Sequence, residues 1–335
     1  MLKKWSKILG VSLMSLALLA ACGTSDDKKD EAGKDNGDKA GETYVIGVSQ
    51  YVTHPSLDEA TKGFKQAIED SGLKVEYVDQ NAQGDPNNAA TIAQNLVADK
   101  VDLIFANATP SAIAAAKETK DIPIIFTSVT DPISAKLVES MENPGGNVTG
   151  TIDNHPDAIP NTIKFLNEQT DYKKIGIVYN AGEENSVSQI NSVKEAAKGT
   201  DLEIVEATVS NTSEVKQAAE SLIGRVDAFY VFTDNTVVSA LESVIDVANS
   251  KKIPLFVGEP DSVQRGGFAA FGISYYDIGY KAGEMAVQIL KGEKKPADLP
   301  VQYPESLKLV INKSAAEKQG IKIKPEWEKD AEIIE

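Results

Sequence analysis

The sequence predicts an α/β chain of two Rossmann-like, doubly wound lobes joined by a three-segment hinge. Three observations carry that expectation. Short β-branched apolar runs alternate with amphipathic helical stretches from residue 44 onward, the pattern of parallel strands covered by helices on both faces. The cycle then starts again: Val45-Ile46-Gly47-Val48 has a counterpart in Ile175-Gly176-Ile177-Val178, and Asp121-Ile122-Pro123-Ile124 in Lys252-Ile253-Pro254-Leu255. A tail after residue 267 holds further elements but is too short to be a domain, so it is expected to complete both lobes by crossing between them.

In the first half, strands are expected over residues 44–49, 75–79, 103–106 and 122–126. Helices fall between them, over 57–70, over 86–98 and from residue 110. The first of these carries Phe64, Ala67 and Ile68 on one face. In the second half, strands are expected at 174–179, 202–207, 228–232 and 253–258, with helices at 186–197, 213–223 and 237–249. The tail contributes strands at 268–273 and 307–311, a helix at 277–290 and a terminal helical piece from 314 to 319. The expected division is residues 43–151 plus 275–300 for the N-terminal lobe and 152–274 plus 301–335 for the C-terminal lobe. Hinge connections are placed near 150–155, 272–276 and 300–305.

Composition narrows the function. The 335 residues include 50 acidic and 34 basic side chains, a formal charge of −16. Nucleic-acid binding needs concentrated Lys and Arg, and only Arg225 and Arg265 occur. A single cysteine, Cys22, excludes an intrachain disulfide or a multi-cysteine metal site, and two histidines do not make a His-rich one. No metal or cofactor is expected. Neither histidine stands in a recognisable relation to a nucleophilic serine, and the acids Glu259 and Asp261 do not by adjacency make a glycosidase pair. Catalysis is not expected.

Residues 1–21 read as a signal peptide: Lys3, Lys4 and Lys7 form the positive end and 8–21 an apolar run too short to span a bilayer. The run ends Leu19-Ala20-Ala21-Cys22-Gly23, similar to the lipobox of bacterial lipoproteins. Cleavage before Cys22 leaves 314 residues with a net charge of −19. Residues 23–42 are almost wholly polar and predict a flexible tether.

Ligands of open parallel sheets bind beyond the carboxyl ends of the strands. There the sequence places hydroxyls, amides and acids. The first half offers Ser49-Gln50-Tyr51, then Asp79-Gln80-Asn81, Asn107-Ala108-Thr109-Pro110-Ser111 and Thr127-Ser128-Val129-Thr130-Asp131. The second half offers Asn180 to Ser186, Thr233-Asp234-Asn235-Thr236 and Gly258-Glu259-Pro260-Asp261-Ser262. Thr109 and Ser111 stand where a helix N-cap belongs, yet the same hydroxyls and neighbouring N–H groups can hold a ligand carboxylate. Tyr51 precedes a polar loop and need not fill the core, so it is expected to stack on a planar ligand. Glu183-Glu184 reads as a solvated loop. His54 and His155 precede prolines in loops, and either loop polarity or a cleft hydrogen bond accounts for them. No phosphate-binding glycine fingerprint follows the first strand.

These features resemble the solute-binding lipoproteins of ABC importers, and most closely the tryptophan/tyrosine-type family. The likeness is carried by Ile46-Gly47-Val48-Ser49-Gln50, Phe126-Thr127-Ser128-Val129-Thr130-Asp131-Pro132, Asn143-Pro144-Gly145-Gly146-Asn147-Val148-Thr149-Gly150, Val263-Gln264-Arg265-Gly266-Gly267 and Leu290-Lys291-Gly292-Glu293. It implies a type I periplasmic-binding-protein fold that closes on a small solute, an aromatic amino acid foremost, and docks on a permease served by a cytoplasmic ATPase. It implies a monomer, lipid-anchored at Cys22 on the extracellular or periplasmic face of the cell membrane. Expected ligand-binding residues are Gln50, Tyr51 and Asn81, with Thr109, Ser111 and Thr130 holding a carboxylate. Asn185, Asp234 and Glu259 are expected to hold an ammonium group or clamp the closed state. Alternatives are a surface lipoprotein that senses a solute for a membrane receptor, a structural surface lipoprotein, and an importer component for a nucleoside or sugar.

Overall fold

The computed structural model describes residues 43–335, so the expected signal peptide, Cys22 and the tether lie outside the described residues. The first sheet is built by β1 (Tyr44–Gln50), β2 (Val75–Asn81), β3 (Leu103–Asn107), β4 (Ile124–Val129) and β5 (Val148–Ile152), in the order β2-β1-β3-β4-β5. All its pairings are parallel. Between strands run α1 (Pro55–Asp70), α2 (Pro86–Ala98) and α3 (Thr109–Glu118). β1, β3, β4 and β5 are buried almost throughout, because helices cover both faces of the sheet and each strand must be apolar on both sides.

After α4 (Ala158–Gln169) the second sheet repeats this plan with β6 (Lys174–Asn180), α5 (Glu184–Ala196), β7 (Glu203–Val209), α6 (Val215–Ser221), β8 (Ala228–Val231), α7 (Asn235–Ser239), α8 (Leu241–Lys251) and β9 (Leu255–Val257). Then come α9 (Pro260–Arg265), β10 (Ala269–Gly272), α10 (Tyr275–Leu290), β11 (Lys308–Asn312), α11 (Lys313–Gln319) and β12 (Ala331–Ile334). The order β7-β6-β8-β9-β10 reproduces that of the first sheet, and β11 and β12 extend its edge. The sequence duplication is therefore a duplication of topology. The second sheet is mixed, since β11 runs antiparallel to β10.

The chain passes between the sheets three times: after β5, after β10 and before β11. On the middle passage α10 returns to the first lobe and lies along α1. The two helices approach closely through glycine, because a Cβ on Gly279 would collide with the carbonyl oxygen of Ala60 and one on Gly63 with that of Tyr276. Beneath them Phe64 stacks on Phe105, ring centroids 3.8 Å apart. On the third passage Val301 packs in the first lobe's core and Gln302 bridges Thr151.

Several elements depart from the expected pattern. Strand β5 is interrupted in sequence by Thr149, Gly150 and Thr151; in the interior the Thr149 hydroxyl donates to the Leu299 carbonyl, and the Thr151 hydroxyl meets the Thr127 hydroxyl and donates to the Ile278 carbonyl. Helix α4 contains Pro160, which reads as a breaker but sits in the first turn, where the missing N–H costs nothing. Helix α9 and strand β12 are too short to show a period. The helix expected over 237–249 is two, α7 and α8, separated at Ala240. The helix expected over 213–223 is a short 3-10 turn followed by α6. Among the described residues no helix is long and apolar enough to cross a membrane.

Candidate functional site

The carboxyl ends of both sheets face one another across a narrow cavity of only about 10 Å³, far below the roughly 300–1,000 Å³ of ordinary ligand pockets. The first lobe contributes His54 and Leu57 from the start of α1, and Ser128 from β4. The crossings contribute Asp153 and Tyr275. The second lobe closes the far wall with Asn185, Thr233, Asn235, Val238 and Glu259. Beyond the cavity Ser188 on α5 donates to Asp131 after β4 at 3.4 Å, so the two lobes touch at the rim as well.

Each lining group is aimed by local structure. His54 is the N-cap of α1: Pro55 opens the helix and Nδ1 of His54 accepts the Leu57 N–H. Burial pushes the His54 imidazole down to about 3, with the Arg265 charge adding to the effect and an Asn235 hydrogen bond opposing it. The ring is therefore neutral at physiological pH. Ser128 has φ 56, in the left-handed region, at the point where the β4–β5 register slips. That conformation is costly for a serine. Its hydroxyl is buried and has no partner in the protein.

Asp153 accepts the Thr130 hydroxyl at 3.0 Å and the Tyr275 hydroxyl at 2.8 Å. Its carboxyl is raised by burial, an effect those two hydrogen bonds reduce. Glu259 is the N-cap residue of α9, and Oε1 accepts from Ser262 at 2.7 Å. Its Oε2 is buried without a partner, as are the Asn185 Oδ1 and the Ser56 hydroxyl. Burial raises the Glu259 carboxyl to about 7, offset in part by the Ser262 and Ser56 hydroxyls. Unpaired buried polar atoms are rare in native proteins because each costs about 1–3 kcal/mol. Here Ser128, Asn185 and Glu259 all line one cavity.

Of the residues expected from sequence to bind ligand, Asn185 and Glu259 line the cavity. Thr130 stands one step behind, through its bond to Asp153. The others, the Thr109 hydroxyl excepted, are engaged within their own lobes. Gln50 bonds Val52, Asp58 and Thr61. Asn81 bonds Thr53 and the Gln83 N–H. Tyr51, expected to be free to stack, fills the first lobe's core and donates its hydroxyl to the Gly84 carbonyl, because the loop after β1 turns inward. The N-cap of α3 is Ala108, at φ 90, so neither Thr109 nor Ser111 caps it. Ser111 meets Ser49, and the Thr109 hydroxyl is buried and unpaired.

Asp234 accepts from the Asn180 and Val237 N–H groups and the Ser186 hydroxyl, all within 2.7 Å. Glu183 is not a solvated loop residue. It is 3% exposed and accepts from the N–H groups and side chains of Asn235 and Thr236. Together the two acids cap the start of α7 and hold the loop that presents Asn235. Burial, with the Glu183 charge adding to it, raises the Asp234 carboxyl. Sequence reasoning left His54 between loop polarity and a cleft contact, and missed Asp153, Tyr275 and the role of Ser128. For His54 the one signal was its place before a proline at a strand's end.

Two α/β lobes closing on a polar cavity across three crossings define a clamshell solute-binding protein. A family model for ABC transporter substrate binding proteins matches residues 45–333, and the chain belongs to that family. The family is one of solute-binding components rather than catalysts, and a membrane permease is its partner.

The chain is 43% identical over 317 residues to a tyrosine-binding protein of Clostridioides difficile, covering 92% of this chain and 90% of that one. A solved structure of an ABC domain in complex with L-Trp from Streptococcus pneumonia is 36% identical, with TM-score 0.82, over 88% of this chain and 100% of that one. A ligand-free, open substrate-binding protein from Clostridium difficile is 38% identical over 87% and 99%, yet its TM-score is 0.64. At nearly equal identity, the lower likeness to the open protein agrees with the contacts across the cavity: this chain is described in a closed state.

Proposed function

We propose that this protein captures an aromatic amino acid, tryptophan or tyrosine, outside the cytoplasmic membrane and delivers it to the importer's permease. The observation that carries the reading is the convergence of unpaired buried polar atoms from both lobes on one closed cavity. The first lobe offers the Ser128 hydroxyl to a carboxylate. The second offers Glu259 Oε2 and Asn185 Oδ1 to an ammonium group. The names of the similar proteins, one tyrosine-binding and one holding L-Trp, support an aromatic side chain. The cavity as closed has no room for such a ligand, so the lobes part to admit it and shut less far around it, a hinge motion at the three crossings. Thr109, Ser111 and Tyr51 support the cavity from behind in this reading.

The protein acts as a monomer held to the membrane by lipid on Cys22, with residues 23–42 as its tether. This part rests on the sequence pattern Leu19-Ala20-Ala21-Cys22. Calorimetry with each of the common amino acids, nucleosides and sugars tests the ligand. Tryptophan or tyrosine is expected to bind most tightly. Binding of another class, with no heat from any aromatic amino acid, overturns the assignment.

A further inference from the structure

We propose that closure is gated by positive charge: the ligand's ammonium group is what allows the lobes to shut, and a ligand with the same ring and carboxylate but no ammonium binds without closing them. The inference rests on the amino-acid reading of the cavity and goes beyond it by naming the trigger.

Two carboxyls line the cavity, Asp153 from the first crossing and Glu259 from the second lobe. Asp234 and Glu183 lie directly behind the far wall, capping α7. Asp261, also on α9, flanks Glu259, and the Ser56 hydroxyl of α1 sits beside both without completing an aligned bond. Among the described residues no lysine or arginine lines the cavity. His54 is held neutral. Arg265 spends Nε and Nη2 on Glu242, both at 2.8 Å; its Nη1 is buried without a partner, and its charge favours an ionised Glu259 without bonding it.

Asp153 has two hydroxyl donors but no ion pair, and Glu259 has one oxygen with no donor, the Arg265 charge only partly offsetting the burial of its carboxyl. In the open state water solvates these groups. Closing strips that water away and brings the second lobe's acids toward Asp153, which penalises the ionised forms by desolvation and by like-charge repulsion. A single ammonium placed among Glu259, Asn185 and Asp153 supplies the missing charge and satisfies the unpaired oxygens together. A neutral or purely anionic ligand does neither.

Small-angle scattering of the whole protein tests this with L-tyrosine and L-tryptophan against 3-(4-hydroxyphenyl)propionate and indole-3-propionate, each at saturation. The amino acids are expected to shrink the radius of gyration, and the deamino analogues to leave it at the ligand-free value. Glu259→Gln removes the charge and keeps the shape. It is expected to let the deamino analogues close the protein and to weaken amino-acid binding at least tenfold. Deamino analogues that close the wild-type protein as far as the amino acids do overturn the gate.

Should no aromatic amino acid bind, the ligand assignment falls, and the gate is then read on ligand-free protein alone. Glu259→Gln is expected to have the smaller radius, and equal radii overturn the proposal. A melting curve establishes that the variant is folded, and the wild-type comparison of ligands stands without it.

Discussion

Tyr275 donates its hydroxyl to Oδ2 of Asp153 at 2.8 Å, joining two hinge crossings that lie 122 residues apart in the chain. Asp153 also takes the Thr130 hydroxyl from the first lobe, and the Tyr275 hydroxyl faces Thr233 in the second. One carboxylate thus reads the position of both lobes at the hinge. Tyr275→Phe leaves Asp153 buried with one donor fewer in the closed state, while water compensates in the open state. The cost is about 1–3 kcal/mol, a rise in Kd of roughly 5- to 150-fold. Stopped-flow measurements are expected to place most of the loss in the dissociation rate.

Ligand affinity is expected to depend on pH through His54. Closure buries the imidazole, and burial lowers its folded value to about 3 against an ordinary 6.5. A base whose value falls on closure gives up a proton as the lobes shut. Its contribution is therefore fully present above pH 6.5 and is lost progressively as pH falls toward 3. In Glu259→Gln, which removes the opposing proton uptake of a carboxyl that burial raises to about 7, calorimetry between pH 8 and 5 is expected to show constant affinity above about pH 7 and a decline approaching tenfold per pH unit below about 6. His54→Gln is expected to flatten this profile, and an unaltered slope in that variant rules His54 out as its source.

The crossing of α1 and α10 sets a stability prediction. In Gly279→Ala the new methyl meets the Ala60 carbonyl, a backbone atom that cannot rotate away, so the helices must separate. Such overpacking costs about 1–3 kcal/mol, read as a lower thermal midpoint at about 2–4 °C per kcal/mol. Gly146→Ala is the control. Nothing lies within 4 Å of a Cβ there, and its midpoint is expected to stay at the wild-type value.

Cys22→Ser tests the anchor. The variant is expected to move from the membrane fraction to the soluble one while keeping wild-type affinity for ligand, because Cys22 lies well before the cavity residues in the chain. Mass spectrometry of the wild-type amino terminus checks the lipid directly. More than one acyl chain is needed for lasting attachment.

The architecture was legible because it repeats. The apolar run at Val45 and that at Ile175 announce two equivalent first strands, and their sheets share one strand order. Strand β5 and helix α4 were hidden because the chain uses polar or proline residues where the local pattern argues against regular structure.

The site was legible only in part, for a physical reason. Sequence locates the strand ends, which brought Asn185 and Glu259 into view, but it does not tell which side chains turn inward. Tyr51 and Asp234 occupy the same kind of loop and are consumed by their own lobes. Ser128 reaches the cavity through a positive φ that no residue type signals. Asp153 and Tyr275 meet only because of how the crossings fold.

The return of α10 to cover α1 has a consequence for biogenesis. Strands β1 to β5 are all synthesised by residue 152, yet the helix that covers Phe64, Ile46 and Val48 ends at Leu290. During translation and export the leading half therefore carries a bare apolar flank while the trailing half is still being made. Chaperone protection of the nascent chain is needed there until α10 has emerged.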